Sequence, residues 1–288
     1  MPINPEFLNG LKLPEVRVQV QARDASLYAL GIGMGTDPLD PQQLRYVYEK
    51  AVPGFQVVPS LATVYPAMMS LRRAGDTGID YSKLVHGTQG FRLHRPLRAD
   101  RELIGRAVVT DLVDKGEGKG ALVYMEGKVV DAATEEHVAT VTSTYFCRGD
   151  GGFGGKRESR PIDPVPAREA DLSFDQDTPE NLALIYRLSG DYNPLHADPA
   201  FARRVGFRRP ILHGRATFGI ACHALLRLCC DYEGDRLAAM DARFTSPVYP
   251  GDRLRTEVWK DGRRLQFRVS VPARSVVALD NGTAEVRE

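Results

Sequence analysis

The last third of the chain alternates apolar and polar residues in short runs. AAMDARFTSPV, DRLRTEVWKDG, RRLQFRVSV and SVVALDNGTAEV keep a period of two, punctuated by PGD, DG and NG. Alternation of this kind buries one face of a strand, and tight polar turns join neighbours antiparallel, so the runs predict a meander. Just before them, HGRATFGIACHALLRLCCDY is small or apolar nearly all round, which predicts a buried helix over residues 213–232. Earlier, TPENLALIYRLSG predicts a helix with Thr178 as N-cap and Glu180 and Asn181 in its first turn. Leu182, Ile185, Tyr186 and Leu188 supply its apolar face, and Gly190 stops it. The first half closes in the same manner, with GKGALVYMEGKVVDAATEEHVATVTSTYFCRG reading as two or three paired strands. A long buried helix wrapped by an antiparallel sheet, occurring twice, is an α+β layout.

The clearest break in this pattern is RGDGGFGGKRESRPIDPVPAREA, residues 148–170, with Gly crowding its start and Pro its end. It predicts an extended surface connection over 149–170, leaving domains at 1–148 and 171–288. The two parts share short strings at similar offsets. LYALGIG corresponds to IYRLSGD, and RLHRPLRADREL to RFTSPVYPGDRL, which points to a duplication.

Composition narrows the function classes. With 43% hydrophobic and 26% charged residues among 288, the chain is an ordinary globular one. A net charge of +1 argues against nucleic-acid or membrane-surface electrostatics, so an anionic ligand needs a local cluster of basic side chains. Four cysteines show no metal-binding spacing, and Cys229 and Cys230 are adjacent. No apolar run approaches the ~20 residues that span a bilayer. MPINPEFLNG lacks the form of a secretory signal, and AEVRE does not match the peroxisomal tripeptide, so a reducing, cytoplasmic setting is expected.

Candidate chemistry concentrates in SGDYNPLH. Asp191, Asn193 and His196 would diverge on a helix but can converge on a loop shaped by Gly190 and Pro194. A carboxylate beside an imidazole suits the holding and deprotonation of water. The same residues equally suit an Asx-type turn with His196 in solvent. Downstream, His213-Gly214 opens the buried helix, where free N–H groups favour developing negative charge, so Gly214 is a candidate oxyanion donor. A lone Gly easing tight helix entry is the plainer alternative. Arg203, Arg204, Arg208 and Arg209 form a cluster suited to phosphates, or simply a solvated face. His196, Asp198 and His213 match no standard zinc spacing, so no metal is expected. His94, His137 and His223 read as structural, and no P-loop or dinucleotide-binding pattern is present, so no cofactor is expected.

The string YRLSGDYNPLHADPAFARRVGFRRPILHGRATFG closely resembles the signature of the hydratase 2, or MaoC-like, (R)-specific 2-enoyl-CoA hydratases. RDASLYALGIG, FQVVPSLATV, HGTQGFRLHRPL, DLVDKGEG and GGFGGKR are similar to the first half of the two-domain members. The resemblance implies a double hot-dog fold, each half a long helix wrapped by an antiparallel sheet. It implies Asp191, Asn193 and His196 as the catalytic set, with Gly214 as oxyanion donor. It further implies that His86, Gly87, Lys115 and Phe244 line an acyl-CoA site, with Lys115, Arg208 and Arg209 facing the anionic CoA. ALGIGMGTD in the first half has no counterpart of the catalytic Asp or His, which implies a degenerate domain left to hold the acyl tail. Arg215 departs from the apolar residue that relatives often carry after His-Gly. The reaction implied is reversible hydration of trans-2-enoyl-CoA to (3R)-3-hydroxyacyl-CoA in fatty-acid or related acyl-CoA metabolism, by a homodimer binding neither nucleic acid nor membrane. The alternatives on the same scaffold are an acyl-CoA thioesterase and a non-catalytic acyl-CoA binding module.

Overall fold

The computed structural model of the chain describes residues 3–64, 71 and 74–288. In chain order its first elements are α1 (Pro5–Leu8), β1 (Val16–Val20), α2 (Ala22–Gly31), α3 (Pro41–Val47), β2 (Leu84–Leu93), β3 (Arg101–Asp114), β4 (Ala121–Asp131) and β5 (His137–Cys147). Then follow β6 (Leu172–Asp177), α4 (Leu182–Tyr186), α5 (Pro199–Arg204), α6 (Gly214–Cys229), β7 (Leu237–Phe244), β8 (Arg253–Asp261), β9 (Arg264–Val271) and β10 (Val276–Val286). No helix or strand interrupts residues 149–170, in keeping with their Gly and Pro content.

The strands form one 10-stranded sheet in the order β1-β3-β4-β5-β2-β7-β10-β9-β8-β6, every pair antiparallel. Read inward from either edge, the two sets of five repeat one another: β1, β3, β4, β5, β2 match β6, β8, β9, β10, β7. The sets meet at the β2–β7 ladder, where Thr88 faces Arg243 and Arg92 faces Ala239. Five-strand sets arranged around helices in this way bear out the α+β expectation.

Inside the curl of the sheet lies α6. Its residues from Ala216 to Leu226 are all buried, as the unbroken small-apolar run predicts. His213 is its N-cap residue. The corresponding part of the first half begins with a buried 3-10 turn at Pro59–Thr63, and most of the residues after it lie outside the described ones. The expectation of a second long helix therefore falls largely on residues that are not described.

The halves interlock through side chains. Tyr28 of α2 hydrogen-bonds Ser60 at 2.8 Å and packs on Tyr186 of α4, ring centroids 5.9 Å apart. Gln176 of β6 donates to the Ile32 carbonyl at 2.9 Å, and Tyr46 of α3 donates to the Tyr232 carbonyl at 2.7 Å. These buried bonds satisfy polar groups that would otherwise be costly inside an apolar core.

Three local expectations need correction. Thr178 does not cap α4, which starts four residues later with Asn181 as its N-cap residue. Thr178 Oγ1 instead donates to the Asp252 carbonyl at 2.7 Å and accepts from Gly251 N–H at 3.0 Å, fastening β6 to the β7–β8 connection. Leu188 is half exposed, because α4 tightens into a 3-10 turn at Arg187–Ser189 before Gly190 ends it with φ +115°. The Asn281-Gly282 pair makes no hairpin turn. It sits within β10 as a bulge, Asn281 at φ +53°, with the register shifting against β9 between Leu279 and Gly282.

Where α6 crosses α2, only a hydrogen fits at Gly219. A methyl there would meet Ile32 Cγ2 at 2.4 Å and the Tyr28 hydroxyl at 2.8 Å, both on fully buried side chains. Gly219→Ala is expected to destabilise the fold by about 1–3 kcal/mol from overpacking, after offset by the gain of up to ~1 kcal/mol in helix propensity. Chemical denaturation of the two proteins measures it.

Candidate active site

Gly190, in the left-handed region, turns the chain out of the α4 segment and presents Asp191. Asp191 Oδ1 accepts the Asn193 N–H at 3.2 Å, and Asn193 Oδ1 accepts the Leu195 N–H at 3.0 Å. The backbone-capping alternative is thus realised for both side chains. It does not hold for His196, which is 8% exposed rather than solvated. A 3-10 turn, Pro194–His196, carries the imidazole inward.

Two backbone carbonyls set the imidazole tautomers. His196 Nδ1 lies 2.8 Å from the Ile211 carbonyl, and a carbonyl only accepts, so Nδ1 carries the proton. Nε2 of the neutral ring is then a free base. By the same logic His213 donates Nε2–H to the Asp191 carbonyl at 3.1 Å, leaving Nδ1 buried with no partner. The rings stack at 3.7 Å between centroids, 27° apart. Burial lowers the His196 pKa below the ordinary imidazole value, against opposing contributions from the Ile211 bond and Asp191. Burial, then the neighbouring His196, holds His213 lower still. Both rings are neutral near pH 7.

Asp191, His196 and His213 each place a ligand-type atom within 4.8 Å of the others. Asp198, considered for zinc from the sequence, is elsewhere: its carboxylate caps α5 through Ala200 and Phe201 N–H. One nitrogen of each ring is already committed to a backbone carbonyl, His196 Nδ1 to Ile211 and His213 Nε2 to Asp191. A small hydrogen-bonding molecule such as water suits the trio better.

At the start of α6, the Gly214 N–H has no partner among the described residues. Its Cα is covered by Phe244 of β7, whose ring edge would lie 3.2 Å from an added methyl. Phe244 packs against His86 of β2 at 4.8 Å, and His86 stacks on Tyr145 of β5 at 5.1 Å. The His86 pKa is depressed by burial and then by Arg215, and its Nε2 is buried and unpartnered. Gly87 occupies the point where the β2–β5 register shifts, and a side chain there would press on the Thr144 carbonyl at 3.1 Å. Gly214, Phe244, His86 and Gly87 therefore adjoin, and His213 links them to Asp191 and His196.

The basic residues separate. Arg208 stacks over Tyr249 at 4.6 Å, with no carboxylate partner among the described residues. Arg209 also reaches Tyr249, at 5.4 Å, but is committed to Glu180 at 3.2 Å and the Pro250 carbonyl at 2.9 Å. Lys115 stands in the turn after β3 and donates Nζ to Ser159 at 3.0 Å, with no bond to the Asp191 or His86 groups. Sequence reasoning missed Gln89 and Tyr145, whose only local signal is their position on strands whose alternate residues face inward.

Two repeated antiparallel five-strand sets, with α6 buried inside the sheet, define the class as a double hot-dog protein. A Mycobacterium tuberculosis protein described as having a double hotdog fold superposes with TM-score 0.60 at 15% identity, a likeness of fold alone. The chain belongs to the MaoC-like, hydratase 2 family. Residues 18–149 match the MFE-2 hydratase 2 N-terminal domain, and residues 157–281 match the MaoC like domain. The 3-hydroxyacyl-thioester dehydratase Y of Mycobacterium tuberculosis is 38% identical over 294 residues, covering 99% of both chains. The peroxisomal enoyl-CoA hydratase 2 of Arabidopsis thaliana is 36% identical, covering 96% of this chain and 93% of its own. A MaoC-like dehydratase crystal structure from Phytophthora capsici superposes with TM-score 0.86 at 30% identity, covering 99% and 98% of the two chains.

The tautomer assignment is directly measurable. In nitrogen-detected NMR of the histidine rings, His196 is expected as the neutral Nδ1–H form, titrating below the ordinary ~6.5. An Nε2–H ring, or a midpoint above that value, would contradict the geometry.

Proposed function

We propose that the chain is an (R)-specific enoyl-CoA hydratase, adding water reversibly across the C2–C3 double bond of a trans-2-enoyl-CoA to give the (3R)-3-hydroxyacyl-CoA. The observation that carries the reading is the gathering of the Asp191 carboxylate with two imidazoles, that of His196 with its Nε2 free, at the start of a helix whose first N–H has no partner among the described residues. Relatives that span nearly the whole chain bear hydratase and dehydratase names, the forward and reverse of one reaction.

A water held between Asp191 and His196 Nε2 gives up a proton as its oxygen bonds to C3. The C2–C3 π electrons move onto the thioester, and the resulting oxyanion is met by the Gly214 N–H. Collapse of this enolate takes up at C2 the proton that His196 Nε2 accepted from the water, so the ring is neutral again, one water is added and no bond to sulfur breaks. The amide NH2 of Asn193, whose Oδ1 is taken by the Leu195 N–H, orients the water or the Asp191 carboxylate in this reading. Burial of His196 serves this chemistry, because a base protonated at neutral pH would be useless.

His86, Gly87 and Phe244 belong to the acyl-thioester wall beside Gly214 in this reading. Arg208, free of any carboxylate, is the better candidate for a CoA phosphate than Arg209, while Lys115 extends the basic surface at the rim. Residues 1–148 hold the acyl tail and residues 171–288 carry the chemistry, joined by 149–170. The working form is a homodimer acting in fatty-acid β-oxidation or a related acyl-CoA route. Among the described residues no helix is long and apolar enough to cross a membrane. A cytoplasmic location rests on composition, and some relatives carry "peroxisomal" in their names.

Asp191→Ala and His196→Ala are each expected to stay folded by circular dichroism and to lose about 10²–10⁴-fold in hydration of crotonyl- or decenoyl-CoA, followed at the enoyl-thioester absorbance. Near wild-type turnover in both would sink the assignment. The base must be neutral, so kcat/KM falls as pH drops through the His196 pKa. Because burial lowers that pKa, the acid limb is expected below pH ~6.5.

A further inference from the structure

Arg215 is the second residue of α6, next to the free N–H of Gly214. Its Nε donates to Gln89 Oε1 at 3.3 Å. Gln89 is fully buried and fixed in turn, donating to the Thr142 carbonyl at 2.7 Å and accepting from Ser143 Oγ at 3.3 Å. The guanidinium is therefore held by a neutral amide. Among the described residues no carboxylate stands within ion-pair distance of it, whereas Arg209, Arg253, Arg255 and Arg274 each have one. The residues outside the description, 1–2, 65–70, 72 and 73, include no Asp or Glu.

The same side chain lines a cavity of about 20 Å³, room for a group the size of one or two waters, with Ala107 of β3, Met125 and Gly127 of β4 and Val141, Ser143 and Tyr145 of β5. All of these strand residues belong to the first half, across the β2–β7 ladder from the catalytic loop. The walls are apolar except for two hydroxyls and the guanidinium. Arg215 also depresses the pKa of His86, so its charge is felt on the Gly214–Phe244–His86 side. A half-buried cation in an apolar wall, without a counter-ion, loses solvation that an incoming anion restores. The planar guanidinium also fits a carboxylate through paired hydrogen bonds.

We propose that this cavity receives only the terminal carboxylate of an acyl chain, at the Arg215 guanidinium. The substrate class is then the mono-CoA thioester of a 2-enoyl dicarboxylic acid, with Arg215 selecting the ω-carboxylate. The assignment rests on the hydratase reading and adds specificity to it. Substrate bound by its thioester at Gly214 extends past Phe244 and His86 toward β4 and β5. The length at which carboxylate meets guanidinium is the length the enzyme prefers.

The test compares trans-2-enoyl-CoAs of several lengths, with and without an ω-carboxylate, on the wild type and on Arg215→Leu and Arg215→Lys. At the fitting length, kcat/KM is expected to favour the carboxylated substrate by about 10- to 100-fold. Arg215→Leu abolishes that ratio and Arg215→Lys keeps part of it. Equal rates for both series in the wild type, or an unchanged ratio in Arg215→Leu, overturn the proposal. So does an ω-hydroxy substrate preferred as strongly as the ω-carboxylate. Calorimetry on the wild type needs neither turnover nor a variant. A saturated ω-carboxyacyl-CoA should bind about tenfold tighter than the plain acyl-CoA of equal length, and equal affinity counts against Arg215. If no enoyl-CoA is hydrated while that binding preference holds, the hydratase reading fails and the tail site stands.

Discussion

The structure depends on one helix having no solvent-facing side over most of its length. Residues Ala216–Leu226 of α6 are enclosed by sheet, by α2 and by the 3-10 turn at Pro59–Thr63. Such enclosure demands small residues at the closest crossings, and Gly219 beneath Ile32 and Tyr28 is the tightest. Each large apolar side chain buried here contributes roughly 1.5–3 kcal/mol, which makes the axis hard to shift. A rigid axis fixes its first residue, and that residue is Gly214.

The chemistry follows from where that first turn emerges. Its N-cap residue, His213, is buried, stacked on His196 and bonded to the Asp191 carbonyl, so the helix start, the imidazole pair and the Asp191 loop pack together. The carbonyls of Asp191 and Ile211 assign the two ring protons without any second carboxylate. Burial then does the electrostatic work, keeping both rings uncharged where a solvated pair would titrate near neutrality. On the far side of Gly214 the polarity changes, through Phe244 and His86 to Tyr145, Arg215 and Gln89. One helix start thus stands between the Asp191–His196 loop and the Phe244–His86–Tyr145 side.

Much of this was legible in the sequence because local signals agreed with the tertiary outcome. The period-two runs became β7 to β10, and the small-apolar run became α6 to within three residues of its expected end. The loop residues of SGDYNPLH were readable as chemistry or as a turn, and the structure uses Asp191 and Asn193 side-chain oxygens for the turn while gathering Asp191 with His196. What could not be read depends on distant partners. Thr178 looks like a cap until Asp252 and Gly251 are seen to claim it, and Arg209 looks free until Glu180 does. Nothing near Gln89 announces that Arg215 will rest on it, since 126 residues separate them. The NG pair read as a turn because only pairing with β9 distinguishes a bulge from a hairpin.

The β2–β7 ladder has a consequence beyond closing the sheet. It joins two five-strand sets much as separate copies might pair edge to edge, yet a single polypeptide supplies both sides. Identical copies meeting at such a seam are bound to change together, because every mutation appears twice. Covalent joining removes that obligation. ALGIGMGTD and SGDYNPLH are free to differ, and the Arg215–Gln89 contact need not be repeated on the other side of the ladder. Broken symmetry, rather than added length, is what lets one side of the molecule take up roles that the other does not.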